Sequence, residues 1–320
     1  MQYWQIVAGS QGRSYSKYFL EYEMAFVGGE TYSGRMEEIK EGDIVVLKEG
    51  TTIRAAGKVT RKGRDDKEWL NDFDGWGLSA YCCVKWREHK GTPIHSSRVP
   101  GAISRVHNQN DINHANAILT SGVEVKDPKE PLDPEPVKVP EILECLKKAD
   151  SGGSEVEWKK IQSLAEYYYS DVGWHWVPEH ETRTFLVVPL LLALGWSERQ
   201  IKIELGCSKG KVDIALFKKE FKNFEESKND CVAIVETKAF GKGLDPAGEQ
   251  VGKYSVDFPS CKVRITTNGH CYKIYKNFEN DDDIHAYMNL RKPTRKYPID
   301  PDVDGALEAI KWLLPDTYSG

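Results

Sequence analysis

Asp213, Glu236 and Lys238 have the types and spacing for cutting a phosphodiester. Two carboxylates supply hard oxygen ligands, and Mg²⁺ typically takes one or two carboxylates plus waters and phosphate oxygens. A metal so held lowers the pKa of a bound water and offsets charge developing on the phosphate. Lys238 would orient the attacking water, or take its proton if its pKa is lowered, and steady the anionic transition state. The metal set is therefore Asp213 and Glu236, with Mg²⁺ as cofactor and Mn²⁺ as a substitute.

An isolated Glu-x-Lys on a strand is ordinarily a solvated ion pair. Here it follows Val232-Ala233-Ile234-Val235, an apolar run typical of a buried strand. Charges at the end of such a strand are costly unless paired or used. Asp213 lies in a second short run, residues 210–217, and a polar stretch that reads as a turn separates the two. Gln250 and Tyr254 recur four residues apart, on one face of an expected helix.

The order of these pieces resembles the PD-(D/E)XK nuclease superfamily in its RecB-like form, and the N-terminal nuclease region of type I restriction subunits. That region runs Glu-x-x-Arg, a Pro-Leu-Leu helix ending in Leu-Gly-Trp, Gly-x-x-Asp, Glu-x-Lys, Gln-x-x-x-Tyr and Thr-Asn-Gly. The chain offers Glu181-Thr182-Arg183, Pro189-Leu190-Leu191, Leu194-Gly195-Trp196, Gly210 to Asp213, Glu236 to Lys238, Gln250 to Tyr254 and Thr267-Asn268-Gly269, all within residues 179–276. The resemblance implies a restriction-endonuclease-like α/β/α domain. Its catalytic set would be Asp213, Glu236, Lys238, Glu181 and Gln250, with Tyr254 in contact with DNA and Arg183 either contacting it at a phosphate or bracing the metal site.

The elements that must position these groups are legible nearby. Residues 155–170 read as a helix with Val156, Ile161, Leu164 and Tyr168 on one face, and 179–194 as a second helix that Pro189 should kink. Ile201 to Leu205 reads as the strand before Asp213, which makes Glu204 a competitor for the acidic role. Asn268-Gly269 is a strong hairpin signal between strands 263–267 and 270–275. The tyrosine and tryptophan run from 167 to 176 reads as packing, with base contact the less favoured reading. Asp281-Asp282-Asp283 reads as a solvated turn, and residues 291–301 as a basic loop that would track DNA backbone.

Residues 1–125 read as a compact β-rich domain with Gly-containing turns, a small barrel. Its opening Tyr3-Trp4 strand, Ser14-Tyr15-Ser16, the Ile39 to Asp43 lead into an apolar strand, and Ala56-Gly57-Lys58-Val59 resemble the EVE branch of the PUA-like fold, related to YTH domains. That resemblance implies a reader of modified bases. A flipped base needs flat walls and a few polar groups to read its edge. Trp76, Tyr15, Ser14, Trp4 and Trp69 are the candidate pocket, though an aromatic on a strand is more often packing. Arg61, Lys62 and Arg64 form a local basic tip suited to phosphate, or a solvated hairpin end.

Five prolines between 126 and 140 mark a spacer; with a short helix it fills 126–154 and leaves 155–320 for the nuclease domain. The overall class is α+β or α/β. Net charge is −5, from 44 basic and 49 acidic residues, so any DNA surface must be a local patch. The seven cysteines lack paired spacing, which speaks for reduced thiols and against zinc. No apolar run approaches membrane-spanning length and no signal peptide is visible, so a cytoplasmic protein with no membrane partner is expected. The expected activity is Mg²⁺-dependent cleavage of modified duplex DNA, methylated or hydroxymethylated cytosine favoured, by a homodimer. A modified-nucleic-acid-binding protein with an inactive nuclease fold, and a nuclease acting on RNA, are the competing readings.

Overall fold

The computed structural model describes residues 1–10, 13–27, 33–63, 72–75, 81–96, 101–129, 134–148, 155–173, 176–208, 210–244, 257–261, 263–276 and 284–318. Side chains of Ser10, Arg13, Ser33, Lys62 and Gly63 also fall outside that description. The protein is mixed α and β and divides into two units, Met1–Pro131 and Leu132–Gly320. The division falls inside the proline-rich stretch.

Unit 1 is built on a sheet that curls into a half-barrel. Its strands are β1 (Tyr3–Val7), β4 (Met24–Phe26), β5 (Ile44–Glu49), β6 (Thr52–Gly63), β7 (Tyr81–Glu88), β8 (Ile94–His95), β9 (Ile103–Arg105) and β10 (Val123–Glu124), with β2 (Gly9–Ser10) and β3 (Arg13–Ser14) as a separate ribbon. The sheet runs β10-β7-β6-β5-β1-β9, with β4 on β7 and β8 on β6. Helices α1 (Ser16–Glu21), α2 (Ser33–Glu38) and α3 (Gln109–Ser121) flank it. Asn108 caps α3 by accepting from the Asn110 N–H. Ala115 and Ile118 of α3 then bury against Ile44, Val46, Ile53 and Ala56.

Two local features explain the sequence pattern of this unit. The Asp43 carboxylate accepts the backbone N–H groups of Lys40 and Gln2 and the indole N–H of Trp4. It closes the turn at Gly42 and locks it to β1. A Cβ at Gly57 would lie 2.4 Å from Val84 Cγ1 and 2.7 Å from the Trp86 ring, so only glycine lets β6 and β7 approach there.

Unit 2 carries α4 (Val139–Lys148), α5 (Glu155–Tyr167), α6 (Glu179–Thr182), α7 (Val188–Ala193), α8 (Phe224–Ser227) and α9 (Ala306–Leu313). Its strands are β11 (Ile201–Cys207), β12 (Gly210–Phe217), β13 (Cys231–Thr237), β14 (Val263–Thr267), β15 (Cys271–Lys276), β16 (Ile284–Asn289), β17 (Lys296–Tyr297) and β18 (Asp300–Asp304). The sheet order is β11-β12-β13-β14-β15-β16-β18-β17. One core cluster joins Ile214, Leu216, Ala233, Val235, Ile265 and Ile274 to Leu186, Leu190 and Leu191 and to α9. A second gathers Val212, Ala215, Phe217, Ile234 and Phe258. β12 and β13 are thus apolar on both sides, which is why their sequences run without strict alternation. Each fully buried aliphatic side chain contributes about 1.5–3 kcal/mol against exposure.

Several expectations are corrected. The stretch 134–148 is part of unit 2. Val137, Ile142 and Leu146 are buried in its core, the Val137 N–H donates to Pro293 O, and Glu135 and Glu141 pair with Arg295. In α5 the buried face is Trp158, Ile161 and Ala165, while Val156 is 72% exposed. The helix expected over 179–194 is broken by a π-helical segment, Arg183–Val187, before α7 begins. Pro189 has no N–H to donate, and the wider turn ahead of it takes up that loss.

Candidate active site

β12 and β13 pair antiparallel with Ile214 opposite Val235. One step further along each strand come Asp213 and Glu236, at the margin of the double-sided core. Glu236 is 2% exposed and accepts the Lys238 ammonium at 2.7 Å through Oε1. Its other oxygen, Oε2, is buried and has no hydrogen-bond partner among the described residues. Burial raises this carboxyl most. Lys238 pulls it down, the negative charges of Asp213 and Glu179 push it up, and the balance lies at about 7.

Asp213 is held differently. Its Oδ1 accepts Arg183 Nη1 at 3.0 Å; its Oδ2 accepts the Thr237 N–H at 2.7 Å and the Thr237 hydroxyl at 2.8 Å. A carboxylate offers about four lone-pair positions, so among the described residues Asp213 keeps one and Glu236 keeps three. Arg183 spends its second nitrogen on Glu204 at 2.8 Å. It therefore braces the site from inside, 12% exposed, which is one of the two roles the sequence offered it. Glu204 sits on β11 at φ +51 and also pairs with Lys211, so it serves as an anchor for Arg183.

The third carboxylate near this pair is Glu179, not Glu181. Burial raises Glu179, Lys238 lowers it, Asp213 raises it and Arg183 lowers it, which places it in the electrostatic reach of the whole set. Glu181 instead bonds the Tyr168 hydroxyl; burial and that bond push the phenol up to about 12. The reason is helical geometry. Residues two apart stand roughly 200° apart around a helix, whereas residues four apart share a face. Glu179 shares the Arg183 side and Glu181 cannot. That four-residue spacing, with Pro178 before the helix start, was the available signal.

The hairpin at Asn268-Gly269 fastens these parts together. The Lys238 N–H donates to Thr267 O, and Asn268 Nδ2 donates to Lys242 O. Gly269 has φ +89, and a Cβ there would come within 2.6 Å of Thr182 Cγ2 and 2.8 Å of Leu186 Cδ1. The turn thus packs directly on the helix that carries Glu179 and Arg183.

A divalent cation would be held by Asp213 and Glu236, with Glu179 beside them. The donor set is hard oxygen, and an unsatisfied buried carboxylate oxygen is what such an ion would complete. Among the described residues no three His, Cys, Asp or Glu side chains are already gathered as a metal cage. Gln250 and Tyr254 lie outside the described residues.

Of the expected base pocket, Trp4, Tyr15 and Ser14 fall within the described residues. Trp4 is 1% exposed, with its indole N–H on Asp43 and Arg105 over its ring. Tyr15 is also buried, donating its hydroxyl to Asp74 Oδ2 at 2.5 Å beside the Tyr18 ring. Both are packing residues. Ser14 accepts the Ser16 N–H and stabilises the entry to α1. Trp69, Trp76 and Arg64 lie outside the described residues, as does the Lys62 side chain. Arg61 is exposed on β6, with Nη2 3.8 Å from Cys83 Sγ.

The basic loop at 291–296 is largely spent inside the protein. Arg291 pairs with Glu166 and lies over the Tyr169 ring, Arg295 binds Glu135 and Glu141, and Lys296 binds Asp304. The Asp281–Asp283 triplet lies outside the described residues. The cysteines are free thiols. No helix among the described residues is long and apolar enough to cross a membrane. No protein-family model matches the chain, and no curated protein matches it.

Proposed function

We propose that the chain is a divalent-metal-dependent endodeoxyribonuclease in which unit 2, read as a restriction-endonuclease-like domain, cuts, and unit 1, read as a PUA-like domain, recognises a modified base. The observation that carries this reading is Glu236: a buried carboxylate with one oxygen on Lys238, the other without a hydrogen-bond partner among the described residues, and Asp213 beside it. An uncompensated buried carboxylate is expensive unless a ligand completes it. Bound Mg²⁺ would supply a more acidic water and charge neutralisation at the phosphate.

The side chains have separable tasks. Arg183 and Thr237 fix the Asp213 carboxylate in one orientation. Lys238 sits 20% exposed at the rim, where its ammonium can meet both a water and a non-bridging phosphate oxygen. Its charge acts in a partly desolvated site, where electrostatic stabilisation is stronger than in water. The reading role of unit 1 rests on its resemblance to base-binding folds.

The test is incubation of the protein with unmodified, 5-methylcytosine, 5-hydroxymethylcytosine and N6-methyladenine duplexes and with RNA, in Mg²⁺, Mn²⁺ or chelator. Metal-dependent cutting of one modified duplex is expected. Lys238→Ala should bind that duplex as the wild type does and cut it at least about 10²-fold more slowly; a variant that cuts at wild-type rate would sink the mechanism.

One observation favours the binding-protein reading: both carboxylates already carry internal cations, Arg183 and Lys238, and no cage of three ligands is preassembled among the described residues. Calorimetric titration with Mg²⁺ separates the two, since an inactive fold takes up no ion at this site.

A further inference from the structure

The strand next to Glu236 carries a second orphaned oxygen. β13 and β14 pair in parallel, with Glu236 opposite Thr266. Paired positions of neighbouring strands put their side chains on the same side of the sheet. The packing agrees: Ala233 and Val235 share one core cluster with their partners Val263 and Ile265, whereas Ile234, two residues before Glu236, belongs to the second cluster. Glu236 and Thr266 therefore stand side by side on the face turned away from the first cluster, across an interstrand spacing of about 4.8 Å. One step beyond them the register is held by the Lys238 N–H, which donates to Thr267 O at 2.8 Å. Thr266 is fully buried, and its hydroxyl has no hydrogen-bond partner among the described residues. The same holds for Glu236 Oε2.

A buried threonine hydroxyl without a partner is costly. Valine has the same shape, suits a strand as well and has no polar atom to desolvate. Lys273, opposite Thr266 on β15, directs its ammonium to the Tyr297 ring, 5.8 Å from the centroid. The two orphaned oxygens do not bond each other, and a separation of this kind between polar atoms is suited to a bridging water. Mg²⁺ gives up its waters reluctantly and binds through one or two carboxylates with several waters still attached. A water donates, and a hydroxyl oxygen accepts. A carboxylate and a hydroxyl side by side, both buried and both unused, fit a hydrated hard cation.

We propose that Thr266 is a positioning residue of the ion site, its hydroxyl accepting a hydrogen bond from a water carried by a divalent ion on Glu236. The inference rests on the nuclease reading and adds to its site a residue from a third strand. The hydroxyl costs stability in the metal-free fold and is used only when the ion is bound.

The test uses the full chain, with Mg²⁺ and Mn²⁺ titrated by calorimetry and thermal unfolding followed in chelator, so that no arm depends on cutting. Glu236→Gln identifies the heat that belongs to this site. Thr266→Val should bind both ions about tenfold more weakly, while Thr266→Ser, which keeps the hydroxyl, stays within about threefold of wild type. In chelator Thr266→Val should melt at or above the wild-type temperature, because it removes an unsatisfied polar group and keeps the volume. A threonine that serves only the fold would give the opposite pattern. The inference is overturned if Thr266→Val binds the ions as well as wild type, if the valine and serine variants weaken binding equally, or if Thr266→Val melts lower in chelator. Each of these leaves the Asp213 and Glu236 site standing. If the wild type takes up no ion, or Glu236→Gln takes it up unchanged, the metal-dependent nuclease reading falls and this inference falls with it.

Discussion

Glu236 concentrates the proposed chemistry in one titration. Its carboxyl is near 4.5 in the unfolded chain and about 7 in the folded, metal-free one. A raised carboxyl means that the folded state favours the proton. The stability this provides is fully present below about pH 4.5 and is lost as pH rises from there to about 7. Glu236→Gln, which keeps the neutral shape, should therefore melt at a nearly constant temperature through that window while the wild type falls; parallel curves in chelator would contradict the assignment. Metal competes with the same proton, so Mg²⁺ affinity should climb with pH up to about 7 and then level. The neighbouring glutamates give a sharper contrast. Glu179→Gln should lower metal affinity and cutting by about 10-fold or more, because its charge belongs to the site. Glu181→Gln loses only the Tyr168 bond, about 1 kcal/mol of stability, and should cut within about threefold of wild type. Equal losses in the two variants would return the third-carboxylate role to Glu181.

At the scale of elements, the helix that carries Glu179 and Arg183 and the β14–β15 hairpin form one mechanical piece through Gly269. An alanine there meets two penalties: about 1–2 kcal/mol for a non-glycine residue at positive φ, and about 1–3 kcal/mol for overpacking against Thr182 and Leu186. Both of those side chains are fully buried and cannot swing aside. Gly269→Ala should lower the denaturant midpoint by an amount worth about 2–5 kcal/mol and reduce cutting, since relief requires α6 to move with Glu179 and Arg183. A variant with full activity and unchanged midpoint would show that the turn does not bear on the site. This same hairpin was legible beforehand, because Asn-Gly between two strand-forming runs dictates its own geometry. So were β1, which opens at the expected Tyr3-Trp4, and the pairing of the Asp213 and Glu236 strands, because short apolar runs declare themselves. What was not legible depended on neighbours distant in sequence. The inward face of α5 is set by what packs on Trp158, the π-helical turn by the need to seat Pro189, and the use of 134–148 by anchors at Pro293 and Arg295. Aromatic type alone does not separate packing from a pocket, so Trp4 and Tyr15 were read as walls when their polar ends were already committed to Asp43 and Asp74.

At the scale of the whole molecule, discrimination and cleavage are assigned to different units, and that assignment has a consequence. Each unit has an apolar core of its own: Ile44, Val46 and Ile53 with α3 in unit 1, and two clusters around β12 and β13 in unit 2. The carboxylates, Lys238, Arg183 and the bracing hairpin all belong to unit 2. A chain beginning at Leu132 should therefore unfold cooperatively and retain Mg²⁺-dependent cutting. Starting instead at residue 155 should fail, because that truncation strips Val137, Ile142 and Leu146 from the core. Three such side chains are together worth on the order of 6 kcal/mol, much of a domain's margin of 5–15 kcal/mol. Preference for a modified duplex should vanish in the Leu132 chain, since the groups assigned to base reading are all in unit 1. Cutting both strands needs two such sites, so sedimentation of wild type on its cleaved duplex should show two copies per DNA. If the isolated second unit discriminates between modified and unmodified DNA as sharply as the full chain, base reading lies in unit 2 and unit 1 has another task.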